Sequence, residues 1–553
     1  MTGILAALDG IDRPDSTVYL LVMFRSTSPQ LGLFSVGHRL DETKRARLQK
    51  TWAHQFRNAA LRLIDEERFA KFFHADNGRP NKSIRLVVGV LVLKDTFDLT
   101  DEQALEQLEW NTAWHHALDV LPEEAHACQK TLHNYRELLA EDGEGGELFE
   151  SMTARLIATA GIITRRQRQD STHILSNIKL LTRLGLFVRT ITLFLERLRD
   201  EHPRLCGAVE AELRERYLDR EGYFADARSS EAPRRLAQAA LDVYVLVRQF
   251  ADHGTVSNME AFSLLQRLYR DQCVPPTTDE PIAIELQEKP SSASLQSPSD
   301  PDVTYGHKGK GYEVQLVETC GENNPFEVVT AVSVNGANES DQQHVLPILD
   351  QVERTCGATP ETLHTDAGYG SGENIVGAEE RGTDLRAPIG SKGPSEENAN
   401  IGDFDFDKTR TTVLSCPMGQ APVAHQQPGK LTRLAIFSAE SCAACPIADK
   451  CPVQRRGDRS VFPFKIADVA VAQRRQEQAT PEFKEQHKIR SGIEATNSEL
   501  KRCHGFAKLR VRGRSRVTLA VHLKVIALNV KRYVGHLVQV APAVVDPAPT
   551  CAC

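Results

Sequence analysis

The stretch YEVQLVETCGENNPFEVVTAVSV, residues 312–334, decides the fold class through the spacing of its apolar residues. From Tyr312 to Leu316, apolar and polar side chains alternate, as they do in a half-buried strand. The turn-forming residues Gly321-Glu-Asn-Asn-Pro325 follow, and a second apolar run extends from Val328 to Val334. Two such runs joined by a turn predict a β-hairpin.

The segments after this hairpin alternate between helix and strand patterns. Apolar residues with helical spacing between Val345 and Val352 predict a helix with Pro347 in its first turn, where proline is tolerated. A short segment ending at Asp366 and another from Asp384 to Ile389 predict two strands. The order strand, strand, helix, strand, helix, strand predicts an α/β domain with a mixed sheet.

Helical patterns flank and interrupt this domain. Residues 41–161 have the pattern of a helical domain, in which Thr100 and Gln103 form a capping box at a helix start. Residues 175–272 are helical again, with apolar positions interleaved with Arg and Glu. We therefore predict four parts: an N-terminal segment of uncertain structure (1–40), an all-α domain (41–161), the α/β domain (162–535) and a mobile Pro- and Ala-rich tail (536–553).

Two segments inside the α/β domain lack helical spacing. Residues 275–301 are so rich in Pro and Ser that we expect a linker that does not pack. Residues 396–465 contain four cysteines in sequence without a regular period, which predicts an irregular Cys-rich insertion. We expect this insertion and the helical insertion 175–272 to leave the sheet intact.

Composition and charge exclude several classes of protein. With 41% apolar and 25% charged residues the chain resembles ordinary globular proteins, and its longest strongly apolar run, Leu86 to Leu93, is far shorter than the ~20 residues that cross a bilayer. Twelve cysteines spread over 553 residues favour a reducing cytosol over a disulfide framework. The net charge of −7 conceals a basic region, because residues 484–532 hold 13 Lys and Arg against 3 Asp and Glu. That excess indicates either a polyanion-binding surface or a solvated helical face.

Three carboxylates stand where metal chemistry could use them. Asp170 follows a basic run, Asp366 ends a predicted strand before the turn Ala-Gly-Tyr-Gly370, and Glu494 lies in the helix that begins after Pro481. Carboxylates at the ends of adjacent strands, with one from a neighbouring helix, can hold two hard cations that drive phosphoryl transfer. The alternative for each acid is a turn or capping role, which is the commoner use of a strand-terminal Asp.

The predicted helix around Glu494 strengthens the metal hypothesis. If the helix is regular, His487, Arg490, Glu494 and Lys501 fall within an arc of about 60°. One face would then present an acid flanked by cations, as needed to hold a metal and a phosphate together. A solvated face with an Arg490–Glu494 pair is the alternative.

These motifs resemble those of bacterial insertion-sequence transposases of the DDE superfamily. Asp170-Ser-Thr, His364-Thr-Asp-Ala-Gly-Tyr369 and Arg490-Ser-Gly-Ile-Glu494, followed by Asn497-Ser-Glu-Leu-Lys-Arg-Cys-His-Gly505, are similar to its three acidic motifs. Gly78-Arg-Pro-Asn-Lys-Ser-Ile-Arg85 is similar to part of its helical N-terminal domain. So is Asp300-Pro-Asp-Val-Thr-Tyr-Gly-His-Lys-Gly-Lys310, in the catalytic part. The resemblance extends from about residue 45 to 535.

The resemblance implies an RNase H-like catalytic core and Mg²⁺-dependent (or Mn²⁺-dependent) cleavage and strand transfer, with two ions held by Asp170, Asp366 and Glu494. One branch of the family has the signature Tyr-x2-Arg-x3-Glu-x6-Lys, in which the Arg and Lys match Arg490 and Lys501, whereas this chain has His487 at the Tyr position. The implied partner is double-stranded DNA, both transposon ends and target, in the bacterial cytoplasm on the nucleoid. A homodimer is expected because two ends must be brought together.

Other functions remain open on the residues alone. An RNase H-like nuclease that cuts without joining strands has the same triad, and a domesticated DNA-binding protein would keep the fold without needing catalysis. No G-x4-G-K-[ST] sequence is present, so we expect no nucleotide cofactor.

A cysteine cluster suggests a second metal. Cys416, Cys442, Cys445 and Cys451 have the spacing C-x25-C-x2-C-x5-C, and four thiolates fit tetrahedral Zn²⁺. A structural zinc would stabilise a short insertion with little core. Free cysteines or a redox pair are the alternatives.

Two basic stretches are candidate DNA contacts. Between Lys508 and Arg516 every second residue is a cation, so an extended chain would project Lys508, Arg510, Arg512, Arg514 and Arg516 to one side, toward phosphates. Arg165, Arg166 and Arg168 precede Asp170 and could contact the strand that is cut. We expect base reading from the N-terminal helices, since a helix fits the major groove.

Overall fold

The computed structural model describes residues 22–27, 36–74, 79–141, 143–219, 231–277, 281–390, 393 and 397–541. The chain forms two compact units, one of residues 1–160 with 522–553 and one of residues 161–521. Most of the N-terminal segment 1–40 and residues 542–553 of the predicted tail lie outside the described residues. No helix of the described part of the chain is both long and apolar enough to span a bilayer.

The first unit is helical, as predicted. One parallel strand pair, β1 (Val22–Met23) with β2 (Arg79–Pro80), accompanies helices α1 to α7, which span Glu42–Gln49, Trp52–Asn58, Ile84–Thr96, Asp101–Trp110, Thr112–Ala117, Gln129–Ala140 and Glu144–Ala160. The predicted capping box is present at the start of α4, where the Thr100 and Gln103 side chains each bond the other's backbone N–H. Nearly every residue of α3 is buried, which explains its continuous apolar sequence.

The second unit is built on a six-stranded mixed sheet. Its strands are β3 (Arg166–Ile174), β4 (Thr304–Gly306), β5 (Gly309–Thr319), β6 (Val329–Gly336), β7 (Thr362–His364) and β8 (Asp384–Arg386). The order is β4-β5-β3-β7-β8, with β6 also paired to β5; β5 is antiparallel to both β3 and β6, whereas β7 runs parallel to β3 and to β8. The hairpin and the mixed sheet are confirmed, and both insertions leave the sheet intact.

Helices pack around this sheet in two groups. The helical insertion after β3 has its own core, and the helices between the later strands share another. Val317 and Ala331 of the sheet pack with Ile348 and Leu349 of the helix after β6. The helices, in order, are α8 to α12 (Arg183–Glu201, Pro203–Gly207, Ala211–Arg214, Ala232–Phe250, Glu260–Gln272), α13 (Val345–Cys356) and α14 (Gly372–Glu380).

The predicted linker is wrong, because much of residues 275–301 packs. Leu295 is fully buried in the core of the helical insertion, and Ser294, Gln296 and Ser297 are buried beside it. Arginine side chains and a carboxylate satisfy the irregular backbone: Arg267 donates to Ala293 O and Pro301 O, and Asp271 accepts from Leu295 N. Side chains from α12 thus supply hydrogen bonds that a helix or sheet would otherwise provide.

The Cys-rich insertion 396–465 is also more regular than predicted. It contains six strands and one helix: β9 (Asp405–Phe406), β10 (Val413–Ser415), β11 (Ala424–Gln426), β12 (Thr432–Ser438), β13 (Gln454–Arg456), β14 (Arg459–Lys465) and α15 (Ala439–Ala443). Four of the strands form one antiparallel sheet in the order β11-β12-β14-β13. Phe404 and Phe462 stack with ring centroids 4.0 Å apart in its small core. Four of the six strands have only two or three residues, too few for alternation to show in the sequence, and burial does not alternate strictly along the seven-residue β12 and β14.

The C-terminal helices are α16 (Ile466–Glu477), α17 (Pro481–His487), α18 (Ile493–Cys503) and α19 (Arg514–Val540). The last helix extends beyond residue 535, where the predicted tail would begin. Its C-terminal part belongs to the first unit, since Lys524 pairs with Asp95 at 3.1 Å and His522 stacks on Phe149.

Candidate active site

Asp170 lies in the middle of β3, at the centre of the sheet. The parallel register pairs Arg168 with His364, the last residue of β7, and Asp170 and Asp366 each follow two residues after that pair. The charge of Asp366 acts on Asp170, as expected for neighbouring carboxylates. Adjacent strands are about 4.8 Å apart. The sheet therefore brings two of the three predicted catalytic carboxylates side by side.

The environment of Asp170 disfavours its ionised form. Burial raises the pKa of Asp170 to about 6, and the neighbouring charge of Asp366 raises it as well, while the Ser171 backbone N–H and Arg490 act in the opposite direction. A carboxylate whose charge is costly in this way is stabilised by a nearby cation.

Asp366 also has the capping role that the sequence left open. Its side chain accepts a hydrogen bond of 2.7 Å from Gly368 N and begins a 3-10 turn, Ala367–Tyr369. The strand before it ends at His364 rather than at Asp366. The turn fixes the carboxylate just after the C-terminal end of β7 and leaves it half-exposed.

Glu494 reaches this region on α18. Its side chain is 63% exposed and accepts from Arg490 Nη2 at 3.0 Å. Two consecutive side chains of α18 attach the helix to the sheet: Thr496 Oγ1 donates to Glu318 at 2.6 Å, and Asn497 Nδ2 donates to Asp170 Oδ2 at 3.1 Å. Glu494 thus lies about one helical turn before the residue that contacts Asp170.

The predicted regular helix through His487 and Lys501 is wrong. α17 ends at His487, a 3-10 segment Lys488–Gly492 follows, and α18 starts at Ile493. His487 stacks on Phe483, with ring centroids 5.7 Å apart, and its Nε2 lies 2.9 Å from Thr365 O. It is therefore bonded to the turn that leads into Asp366 instead of sharing a helical face with Glu494.

Lys501 does lie near Asp170. Burial lowers the pKa of Lys501 and the charge of Lys308 lowers it further, whereas Glu313 and Asp170 raise it. Lys501, which matches the signature lysine, is thus close enough to Asp170 for their charges to interact.

Arg168 belongs to the protein interior, and the prediction that it contacts DNA is wrong. Its side chain is 11% exposed and forms an ion pair of 2.7 Å with Glu318, whose own side chain is fully buried. Arg168 Nη1 also donates to Ile489 O at 2.8 Å. A Cβ on Gly492 would lie only 1.9 Å from Arg168 Nη1, which explains the glycine in Arg490-Ser-Gly-Ile-Glu494. Arg168 therefore ties the segment before Glu494 to the strand of Asp170.

A polar network that the sequence prediction missed surrounds the two aspartates. Lys308 Nζ lies 2.8 Å from Glu313, and contacts with His173 and Lys308 outweigh burial to lower the pKa of Glu313 to about 2. On the same network, Gln315 donates to Asp341 at 2.7 Å and accepts from the Tyr369 hydroxyl at 2.6 Å. Burial raises the pKa of Asp341, as do the charges of Glu313 and Asp366.

The sequence contained a signal for some of these residues. Lys308 lies within the Asp300–Lys310 motif, and Asp341 is an acid between the second hairpin strand and the next helix.

The three predicted carboxylates do not converge in the structure. Among the described residues, no three His, Cys, Asp or Glu side chains are arranged to hold a metal ion. Asp170 and Asp366 are adjacent, whereas Glu494 is paired with Arg490. Rotation of the exposed Glu494 side chain away from Arg490 is the change that metal binding by all three would require.

The basic residues after α18 are exposed in alternation. Ala507–Val511 runs alongside the end of β3, with Leu509 N donating to Leu175 O and Asn177 N donating to Val511 O. Leu509 is buried, while the predicted cations at positions 508, 510, 512, 514 and 516 are exposed. Arg512 and Arg514 also donate to the backbone, at Asn177 O and Val334 O.

The three predicted cations before Asp170 differ in exposure. Arg165 is 75% exposed and near Glu361, at 3.5 Å, and Arg166 is exposed; Arg168 is internal.

The four cysteines of the insertion line one small cavity. Cys416, Cys442, Cys445 and Cys451 are half-buried free thiols around it. Burial raises the pKa of the Cys451 thiol, and the other three cysteines raise it further. The fold thus gathers residues that are up to 35 positions apart in the chain.

Two family models match the chain. Residues 415–534 match the model described as transposase DDE domain. The matched range includes Glu494 and begins after Asp366. Residues 46–138 match the model described as transposase domain (DUF772), within the helical unit. No curated protein and no solved structure gives a significant match. The two matches support an insertion-sequence transposase of the DDE class, and thus a transposase role, as the motifs predicted.

Proposed function

We propose that this protein binds the terminal inverted repeats of an insertion sequence and catalyses metal-dependent strand cleavage and strand transfer with Asp170, Asp366 and Glu494. The observation that carries the proposal is the register of β3 and β7, in which Asp170 and Asp366 each follow two residues after the Arg168–His364 pair, together with the Asn497–Asp170 bond that holds the Glu494 helix against β3. Its site of action would be nucleoid DNA in the bacterial cytoplasm.

The sheet supports an RNase H-like assignment for the catalytic core. Three antiparallel strands in the order β6-β5-β3 are followed by β7 and β8, parallel to β3, so the strand that carries the first acid is central. The second acid follows the neighbouring parallel strand, and the third comes from a helix that packs against β3. Side chains from two neighbouring strands and one helix can thus converge on a single polar site.

The donor set fits hard divalent cations. All three acids offer oxygen ligands, and both burial and the charge of Asp366 raise the pKa of Asp170, so a bound cation would relieve the cost of its ionisation. Two Mg²⁺ or Mn²⁺ ions held there would activate the attacking oxygen and stabilise the leaving oxygen of a phosphodiester. Arg490 and Lys501 would bind phosphate oxygens, since both carry positive charge close to Asp170.

Cleavage of a transposon end by a Glu494 variant tests the proposal. The protein is incubated with DNA that carries its flanking inverted repeat and Mg²⁺, and the cut positions are mapped. Glu494→Gln removes the charge of a 63% exposed side chain at little cost in folding, so cleavage should be abolished while DNA binding is kept. Glu482→Gln, an exposed acid in the first turn of α17, is the matched control and should cut normally. Retained cleavage in Glu494→Gln would refute the assignment.

Two alternatives give different products in the same assay. A nuclease on this fold would cut the end but would not join a pre-cut 3′-hydroxyl end to target DNA. A domesticated DNA-binding protein would bind the repeat without cutting it. Strand-transfer products from a pre-cut end therefore distinguish transposition from both.

DNA contact is proposed for the exposed cations. Lys508, Arg510, Arg512, Arg514, Arg516, Arg165 and Arg166 would contact phosphates, while helices within residues 46–138 would read the repeat. Replacing any one of these cations with a neutral residue should reduce the slope of log affinity against log salt by about 1. A homodimer on the paired ends is part of the proposal, and light scattering of the complex with two repeat ends would measure it.

A structural zinc in the Cys-rich insertion completes the proposal. Four thiols line one cavity and supply the donor types of tetrahedral Zn²⁺, whose charge would stabilise their thiolates. Zinc binding would have to draw them together, because among the described residues no three such side chains are arranged to hold a metal ion. Metal analysis of the purified protein should give one zinc per chain. Cys442→Ser should lower that content, whereas Cys128→Ser, at an exposed thiol in the first unit, should not. A chain that folds without zinc and tolerates Cys442→Ser would contradict this part.

A further inference from the structure

Asn497 is a buried polar residue that begins the segment after the third acidic motif, and neither the motifs nor the family signature gives it a role. It lies on α18, three residues after Glu494, and only 9% of its surface is exposed. Its Nδ2 donates to Asp170 Oδ2 at 3.1 Å. Its Oδ1 is buried and has no hydrogen-bond partner among the described residues.

An orphaned amide oxygen at this position is costly unless something binds it. Buried polar atoms in folded proteins nearly always have a partner, because an unsatisfied one has lost its hydration without gaining a hydrogen bond. The hydrogen bond to the carboxylate fixes the amide orientation, because the oxygen would be repelled if the two amide atoms were exchanged. Asn497 therefore presents a fixed, unused oxygen beside Asp170 and about one helical turn from Glu494.

The chemistry of this oxygen matches that of the proposed site. Asn carbonyl oxygens are ordinary ligands of hard divalent cations, as carboxylates are. Leu500, on the same helix, is fully buried, so α18 is held firmly where Asn497 meets the sheet. Thr496, the preceding residue, bonds the buried Glu318 and anchors the same turn.

We propose that Asn497 is a further residue of the cation site, with its amide nitrogen holding Asp170 and its amide oxygen serving as a ligand of the cation. The proposal rests on the proposed function, since it needs Asp170 to bind a cation. Asn497 would add a neutral oxygen ligand to the three acids. Through Asn497, α18 would contribute to cation binding even while Glu494 is paired with Arg490.

Cation binding to the full-length protein tests this assignment without relying on catalysis. Calorimetric titration with Mn²⁺ is performed on the wild type, Asn497→Leu and Asn497→Asp. Asn497→Leu keeps a similar volume but removes both polar atoms, and loss of such a group typically weakens metal affinity about 10- to 100-fold. Asn497→Asp keeps an oxygen ligand at this position and should retain the Mn²⁺ affinity that Asn497→Leu loses. Ser498→Ala, the next residue of α18, is the control.

The outcomes separate this inference from the proposed function. Wild-type Mn²⁺ affinity in Asn497→Leu would overturn the role of Asn497 as a ligand. Equal losses of Mn²⁺ affinity in Asn497→Leu and Asn497→Asp would also overturn it, because the oxygen would then contribute nothing. Asp170→Asn should abolish binding at the site. If Asp170→Asn binds Mn²⁺ as the wild type does, the proposed function fails as well; if it loses binding and Asn497→Leu does not, only the role of Asn497 fails. Circular dichroism confirms that each variant is folded.

Discussion

Replacing Arg168 with Met should destabilise the second unit strongly. Arg168 and Glu318 form an ion pair of 2.7 Å with side chains that are 11% and 0% exposed. Removing one partner of a buried ion pair leaves an uncompensated charge and costs about 3–5 kcal/mol. Met fills most of the space of the Arg stem, so the loss is electrostatic and includes the hydrogen bond to Ile489 O.

The tryptophans allow the effect to be assigned to one unit. The chain has three Trp, at positions 52, 110 and 114, and all lie in the first unit. Denaturant unfolding of Arg168→Met should show an early transition by circular dichroism, because the second unit holds the sheet, while the Trp fluorescence transition stays where it is in the wild type. A shift of the Trp transition alone would place the damage in the wrong unit.

A double-mutant cycle gives the refuting result. In Arg168→Met with Glu318→Gln, neither charge remains, so the double variant should be more stable than the sum of the two single losses implies, by about 1–3 kcal/mol. Strict additivity, or a cost of Arg168→Met below about 1 kcal/mol, would refute a buried ion pair as the link between β3 and the segment before Glu494.

Three other perturbations test neighbouring parts of the molecule. Gly492→Ala would place a Cβ 1.9 Å from Arg168 Nη1, which the ion pair with Glu318 holds in place. The substitution should therefore reduce DNA cleavage and stability in the wild type and add no further loss in an Arg168→Met background. Burial holds the pKa of Asp170 at about 6, above its ordinary 3.8, so ionisation of Asp170 lowers the stability of the folded state. Asp170→Asn, measured without divalent cations, should therefore be more stable than the wild type by an amount that grows from about pH 4 to 6 and then levels off. Lys524→Met breaks a pair with Asp95 whose side chains are each 7% exposed, and should cost about 3–5 kcal/mol in the Trp fluorescence transition of the first unit.

Each of these has a control and a contradicting result. Gly207→Ala, where a new Cβ meets nothing within 4 Å, should leave cleavage intact. Equal damage from Gly492→Ala with and without Arg168 would show that the clash is elsewhere. A stability difference for Asp170→Asn that does not change with pH would contradict the raised pKa. An unchanged Trp transition in Lys524→Met would exclude the C-terminal part of α19 from the first unit.

The parts of the fold that depend on local spacing were predictable. The alternation from Tyr312 and the turn before Pro325 gave the correct hairpin, and the capping box at Thr100 marked a true helix start. The turn after Asp366 was also predictable, because a strand followed by an exposed turn is a local pattern, although the strand ends two residues earlier, at His364. These features need no knowledge of distant residues. Asp170, expected at a strand end, lies instead in the middle of β3.

The parts that depend on distant partners were not predictable. Residues around Leu295 have a linker composition, yet they pack because Arg267 and Asp271, on a helix more than 20 residues earlier, satisfy their backbone. The break at Lys488–Gly492 depends on Arg168, which is more than 300 residues away in the chain. The same separation hid Asn497, whose importance appears only when α18 is seen against β3.

The most direct test of the central claim is a change of metal preference at Asp366. Thiolates favour softer metals than carboxylates do, so Asp366→Cys should lose cleavage of the inverted repeat in Mg²⁺ and regain it in the more thiophilic Mn²⁺. That switch would show that Asp366, whose charge acts on Asp170, ligates the catalytic cation. Cleavage at the wild-type rate by Asp366→Cys in Mg²⁺ would contradict the proposed active site.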